Sequence, residues 1–169
     1  MTEQLNYKVV KTYKNFELRY YPDHVLVQVE GAGDFNSAGS QAFRPLFNYI
    51  SGENVVSAKI AMTAPVFQEQ LSEKRHLVSF VLPETMGVNQ IPTPKNSKVN
   101  TRKVGAKDVA VMTFSGQWNE NFLQQKADQL LASVEQAGLI ANGPVYFSRY
   151  DPPWKPWFLR RNEALVDLS

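Results

Sequence analysis

Hydrophobic positions along this chain alternate, shift to helical spacing and alternate again, and they do so twice. Val25, Val27 and Val29 form one face of an alternating run that ends at Gly31, and Ala110, Met112 and Phe114 do the same before Gly116. A period of two marks a strand with one apolar face. The two glycines stand 85 residues apart, and that offset carries Ala38, Ala42, Leu46 and Tyr49 onto Leu123, Ala127, Leu131 and Val134. Residues so spaced share one side of a helix, which predicts a buried stripe in each half. Asp34 and Asn119 stand where N-caps belong, and Gly52 and Gly138 where helices stop. Pro45 interrupts the first helix, removes a backbone donor and is expected to kink it.

The repeat continues beyond the helices. Ile60-Ala61-Met62 falls on Val145-Tyr146-Phe147, and the strand Leu77 to Leu82 falls near Glu163 to Leu168. Each half reads as strand, strand, helix, strand, strand, with halves at about 7–83 and 98–169 of one domain spanning 1–169. The loop from Pro83 to Ser97, with Pro92 and Pro94 inside it, is the expected seam. Two such halves predict an α+β domain: antiparallel sheet, two helices, pseudo-twofold design and a groove between the halves where a ligand would sit.

Composition narrows the function classes. With 169 residues and 43% hydrophobic content the chain can bury a core. A formal charge of +2, spread along the chain, leaves no nucleic-acid footprint. The absence of cysteine excludes disulfides, thiol nucleophiles and Cys-ligated metals. The N-terminal residues Met1 to Asn6 have no apolar core for a signal peptide, and no apolar run reaches the roughly 20 residues of a membrane helix. A soluble, cytoplasmic protein without membrane insertion is the expectation.

Catalytic and metal motifs are sparse. His24 follows Tyr21-Pro22-Asp23, read as a hairpin turn, and is expected to be solvated; His76 opens a strand after Glu73-Lys74-Arg75 and is expected at the surface. Their spacing fits no zinc motif, so any metal site stays unassigned. No GxSxG elbow is present, and Gly31-Ala32-Gly33 reads as a strand-to-helix turn rather than a phosphate loop. Glu17, Glu30, Asp108 and Glu163 lie on or beside strands, where cross-strand ion pairing is the ordinary role. Glu163 enters an apolar strand and would need a partner if buried. The aromatic segment Tyr146 to Phe158 has two readings: a lid over one end of the sheet, or rings and cations for a planar anion.

Lys59-Ile60-Ala61-Met62-Thr63-Ala64-Pro65-Val66 and the run from Arg149 to Val166 (RYDPPWKPWFLRRNEALV), with Tyr7 to Val10 and Phe16 to Tyr21, resemble the SOUL/haem-binding-protein family over nearly the whole chain. The resemblance implies a distorted antiparallel β-barrel with two helices, built from two βαββ-like halves. It implies a tetrapyrrole carrier or buffer that takes haem or free porphyrin in an apolar groove, as a ligand rather than a catalytic cofactor. Lys59 and Met62 would lie near that groove, Met62 against the macrocycle face and Lys155 against a propionate. Tyr20 stands where some family members carry a proposed axial histidine, and tyrosine can ligate ferric iron. The alternative is a gyrase-inhibitor-like small-molecule-binding module or hydrolase using the same groove, with Glu163, Tyr20 or Tyr150 as its polar groups. The sequence names no catalytic residue and no protein partner.

Overall fold

The computed structural model of the protein describes residues 2–152 and 154–169, and of Val88 the backbone alone. Met1 and Pro153, the latter part of the aromatic segment singled out above, lie outside the described residues. In chain order the elements are β1 (Glu3–Gln4), β2 (Lys8–Thr12), β3 (Glu17–Tyr21), β4 (His24–Ala32), α1 (Phe35–Ile50), β5 (Thr63–Ala64), β6 (Val66–Ser72) and β7 (Arg75–Val81). They continue with β8 (Asn100–Val104), β9 (Lys107–Phe114), α2 (Glu120–Gln136), β10 (Tyr146–Arg149) and β11 (Asn162–Asp167). This is an α+β fold of antiparallel sheet and two helices. Neither helix is long and apolar enough to cross a membrane.

The chain divides into two compact units: Met1–Leu5 with His24–Val104, and Asn6–Asp23 with Gly105–Ser169. In the first, α1 packs on antiparallel strands in the order β8-β4-β7-β6, and β1 pairs parallel with β5. In the second, α2 packs on strands in the order β2-β3-β9-β11-β10. Both contain the same βαββ motif, β4-α1-β6-β7 and β9-α2-β10-β11, whose last strand lies between the other two.

The strand flanking that motif is crossed over. β8, which follows the first motif in sequence, flanks β4; β3, which precedes it, flanks β9. Tyr21-Pro22-Asp23 is therefore no hairpin turn. His24 begins a strand whose partner there is Val104 and is half-buried, not solvated. The stretch from Pro83 to Ser97 stays inside the first unit, where the Tyr49 hydroxyl donates to the Pro92 carbonyl at 2.6 Å and the Val55 amide to that of Thr93 at 3.0 Å.

Both helices start and stop where local chemistry requires. The Asp34 carboxylate accepts from the Ser37 amide at 2.8 Å, and the Asn119 side-chain oxygen accepts from Asn121 and Phe122 at 3.0 and 3.2 Å. Gly52 and Gly138 follow the C-caps with φ of 122° and 76°, a left-handed region that glycine enters without penalty. α1 runs through Pro45, which lacks the amide that would reach the Gln41 carbonyl.

The α1 stripe is buried as the spacing predicts: Ala38, Ala42 and Leu46 are fully covered and Tyr49 nearly so. In α2 the buried residues are Leu123, Ala127, Leu130 and Val134, and the expected Leu131 is 40% exposed. At 100° per residue Leu123, Ala127, Leu130 and Val134 fall within about 60° of one another and Leu131 lies beyond them, whereas the wider buried face of α1 takes in Leu46 eight positions after Ala38. His76, expected at the surface, is buried and meets the Phe35 ring edge-on at 5.3 Å. It alternates with the buried Val78 and Phe80 on the face of β7 that lies under α1.

Candidate functional site

In the first unit, exposed apolar and cationic side chains occur on α1 and on the segment after it. Phe43 and Phe47 sit four residues apart on the flank of α1 beside its buried stripe, 41% and 50% exposed. Their rings stack at 6.0 Å with 14° between planes, and Phe43 is anchored edge-on to Phe80 at 5.3 Å. Arg44 is exposed on the same side, three positions before Phe47.

The segment 58–64 is tied to the same elements. Buried Asn54 donates to the carbonyls of Tyr49 and Ala58 at 3.1 and 2.8 Å and accepts from the Ala58 amide at 3.0 Å. The Ile60 amide donates to the Ile50 carbonyl at 2.7 Å, and the Thr63 hydroxyl to the Val81 carbonyl at 2.5 Å. Ile60 points inward, leaving Lys59, Ala61 and Met62 exposed. Residues 59–62 are not strand, contrary to the sequence expectation. The C-terminal carbonyl of α1 takes the Ile60 amide, and pairing begins only at Thr63, with β1. Stacked rings, a thioether and two cations suit a flat apolar ligand that carries anionic groups.

Tyr20 and Lys155 belong to the second unit, whereas Lys59 and Met62 belong to the first. Tyr20 lies on β3 between inward-facing Arg19 and Tyr21, is 42% exposed and has Lys8 and Asp108 as strand partners. Lys155 is half-buried with Nζ 2.9 Å from the Asp151 carboxylate. That carboxylate also accepts from the Arg161 amide at 2.5 Å. Burial raises its pKa, but the Arg161 amide and Lys155 outweigh that and hold it below the usual range.

The polar constellation of the second unit surrounds Glu163, which is fully buried. Its strand partners put it beside Thr113 of β9 and Ser148 of β10, and β3 pairs on the far edge of β9. One carboxylate oxygen lies 2.9 Å from Arg19, 3.1 Å from Arg161 and 3.3 Å from the Thr113 hydroxyl, and the other accepts from Ser148 at 3.2 Å. Buried Arg19 also donates to Glu17 at 2.9 Å and to the Tyr21 hydroxyl at 3.0 Å, with Tyr7 under its guanidinium at 4.0 Å. Burial alone would lower the Arg19 pKa; Glu163 and Tyr21 reverse this and raise it. Burial, then Glu163, raises those of Tyr21 and Tyr150. Both oxygens of the Glu163 carboxylate are thus engaged by donors within the protein. This cluster ties four strands together, β3, β9, β11 and β10. Sequence alone marked Glu163 as needing a partner and left Arg19 unnoticed, although its place between Glu17 and Tyr21 on an alternating strand points it inward.

A second surface feature of the first unit is an open groove of about 480 Å³ between Ile91–Pro94 and Thr101–Lys103. Among the described residues no three acidic or histidine side chains gather to hold a metal ion.

The family model described as SOUL heme-binding protein matches residues 2–167. The chain is 27% identical to heme-binding protein 2 of Homo sapiens over 165 residues, covering 88% of this chain and 80% of that protein. It is 25% identical to heme-binding protein 2 of Mus musculus, covering 90% and 82%. Among solved structures, the C-terminal domain of EcmrR superposes with a TM-score of 0.66 at 13% identity, covering 96% of this chain and 98% of that one. A hydrolase from Listeria innocua gives 0.63 at 13%, covering 95% and 94%. At such identities these two establish a shared fold and nothing about ligands.

Proposed function

Because the chain belongs to the SOUL heme-binding protein family, we propose that it binds haem or a free porphyrin, as a tetrapyrrole carrier or buffer. The observation that carries the reading to particular atoms is the exposed Phe43–Phe47 stack on the unit that also presents Met62 and Lys59. The macrocycle lies on the phenyl rings and the Met62 thioether, and Lys59 and Arg44 meet the propionates. Both kinds of contact act on the porphyrin rather than on its metal. Iron therefore adds little, and haemin and protoporphyrin IX bind with similar affinity. Lys155 and Tyr20 lie in the second unit and stand outside this set of contacts.

The experiment is a side-by-side titration of haemin and protoporphyrin IX, followed by the Soret band. Phe47→Ser with Met62→Ala removes about half a buried phenyl ring and a thioether and weakens both ligands by about tenfold. Lys59→Gln weakens them by about two- to fivefold, as for an exposed ion pair. Lys155→Ala does the same if that lysine meets a propionate, and Tyr20→Phe weakens only haemin if the phenolate ligates iron. An unshifted Soret band on mixing with the wild-type protein refutes the reading. Catalysis finds no support in Glu163, whose oxygens are all engaged within the protein.

A further inference from the structure

Residues 154–159 of the second unit display four large apolar side chains to solvent: Trp154 is 85% exposed, Trp157 50%, Phe158 58% and Leu159 58%. Large apolar residues scattered singly over a surface are ordinary; four within six positions are a patch with a use.

This stretch is held in shape by its own hydrogen bonds. The Trp157 carbonyl accepts from the Gly116 amide at 3.1 Å, and the Leu159 amide donates to the Pro156 carbonyl at 2.9 Å. Arg160 Nε donates to the Lys155 carbonyl at 2.8 Å, and Lys155 pairs with Asp151. Beneath it, Asn162 joins the Gly116 carbonyl at 3.0 Å to the indole of buried Trp118 at 2.8 Å. The rings are thus kept outward by the backbone.

Charge identifies what they meet. Between residues 149 and 163 stand Arg149, Lys155, Arg160 and Arg161 against Asp151 and Glu163, an excess equal to the formal +2 of the whole chain. Arg161 faces buried Glu163 and Arg149 lies over the Trp118 ring at 4.2 Å, so the cations beside the exposed indoles are Arg160 and Lys155, the latter paired with Asp151. Tryptophan prefers the headgroup level of a bilayer, and lysine and arginine beside it are drawn to anionic lipid.

We propose that this segment docks the protein onto the surface of an anionic phospholipid bilayer. Trp154, Trp157, Phe158 and Leu159 enter the boundary between headgroups and acyl chains, and Lys155 and Arg160 face the lipid phosphates. Docking of this kind needs no spanning element. It is independent of tetrapyrrole binding on the first unit, and it is tested on protein free of porphyrin.

The test is flotation with vesicles of phosphatidylcholine alone and of phosphatidylcholine with about one-third phosphatidylserine, with tryptophan emission read in parallel. The expected result is partition onto the anionic vesicles, weakened by salt, with a blue shift from Trp154 and Trp157. The Trp154→Ser/Phe158→Ser double variant, altered only at exposed side chains, partitions about tenfold less or worse, and Lys155→Gln about fivefold less. Haemin titration of the double variant shows that its fold and first unit are intact. No partition or blue shift with anionic vesicles overturns the proposal, and so does equal binding to neutral ones. A wild-type dimer that the double variant converts to monomer, without lipid, overturns it in favour of a second copy as the occupant.

Discussion

Replacing Glu163 by glutamine isolates the value of one buried charge. The carboxylate is fully covered and Arg19 is 2% exposed, so Glu163→Gln leaves a guanidinium in the interior with its principal counter-charge gone. Breaking a buried ion pair from one side costs about 3–5 kcal/mol. Two features place this case at the lower end. Arg161 is one-third exposed and can turn to water, and Glu17 remains 2.9 Å from Arg19. The expected loss is about 3 kcal/mol, which in a domain of this size lowers Tm by about 6–12 °C. Urea unfolding should show a lower midpoint at unchanged m, since the surface exposed on unfolding hardly changes. Substituting both partners, Arg19→Met with Glu163→Leu, should cost less than Glu163→Gln alone, because no charge is then stranded. A loss below about 1 kcal/mol for Glu163→Gln would refute the view that the cluster fastens β3, β9 and β11. Loss of haemin binding by a folded Glu163→Gln protein would show that the carboxylate serves a ligand instead.

The phase of α2 is tested by adjacent leucines: Leu130→Ala should cost about 2–5 kcal/mol in urea unfolding, and Leu131→Ala within about 0.5 kcal/mol of nothing. Gly31→Ala would drive a Cβ into the Ala38 carbonyl oxygen at the start of α1, where backbone must move; a loss near the upper end of about 1–3 kcal/mol is expected, and none would show that β4 and α1 are not so close. Asn119→Ala removes the acceptor for two amides of the first turn of α2 and should cost about 0.5–2 kcal/mol. The depressed pKa of Asp151 makes its contribution complete above the unfolded value of about 3.9 and lost as pH falls through the folded one. Acrylamide quenching of Trp154 and Trp157 should therefore change on acidification below about pH 4, and Asp151→Asn should abolish that change.

The repeat was legible because alternation and helical spacing are local properties, and the helix caps and stops followed from single side chains. Strand pairing is not local. Nothing in Glu17 to Tyr21 or Asn100 to Val104 says that each will flank the motif belonging to the other half of the sequence, since the period of a strand fixes its faces and not its neighbour. Hence Tyr21-Pro22-Asp23 has the composition of a tight turn yet carries the chain from one unit to the other. His76 is buried for a different reason. Three charged residues before it suggested solvent, whereas its even spacing from Val78 and Phe80 decided its face.

The same division explains what could be read of the candidate sites. Phe43 and Phe47 were not singled out from the sequence, although they form an aromatic pair at i and i+4 beside the buried stripe of Ala38, Ala42, Leu46 and Tyr49. Arg19 and Glu163, by contrast, lie 144 residues apart and meet only because β9 pairs with β3 on one side and β11 on the other. A buried acid announces that it needs a base; which base answers is a property of the sheet. The residues that sequence can nominate for a ligand are therefore those left outside the packing, and Lys59 and Met62 are of that kind. Those that it nominates as reactive because they are charged and internal, Glu163 among them, are the ones that packing has already used.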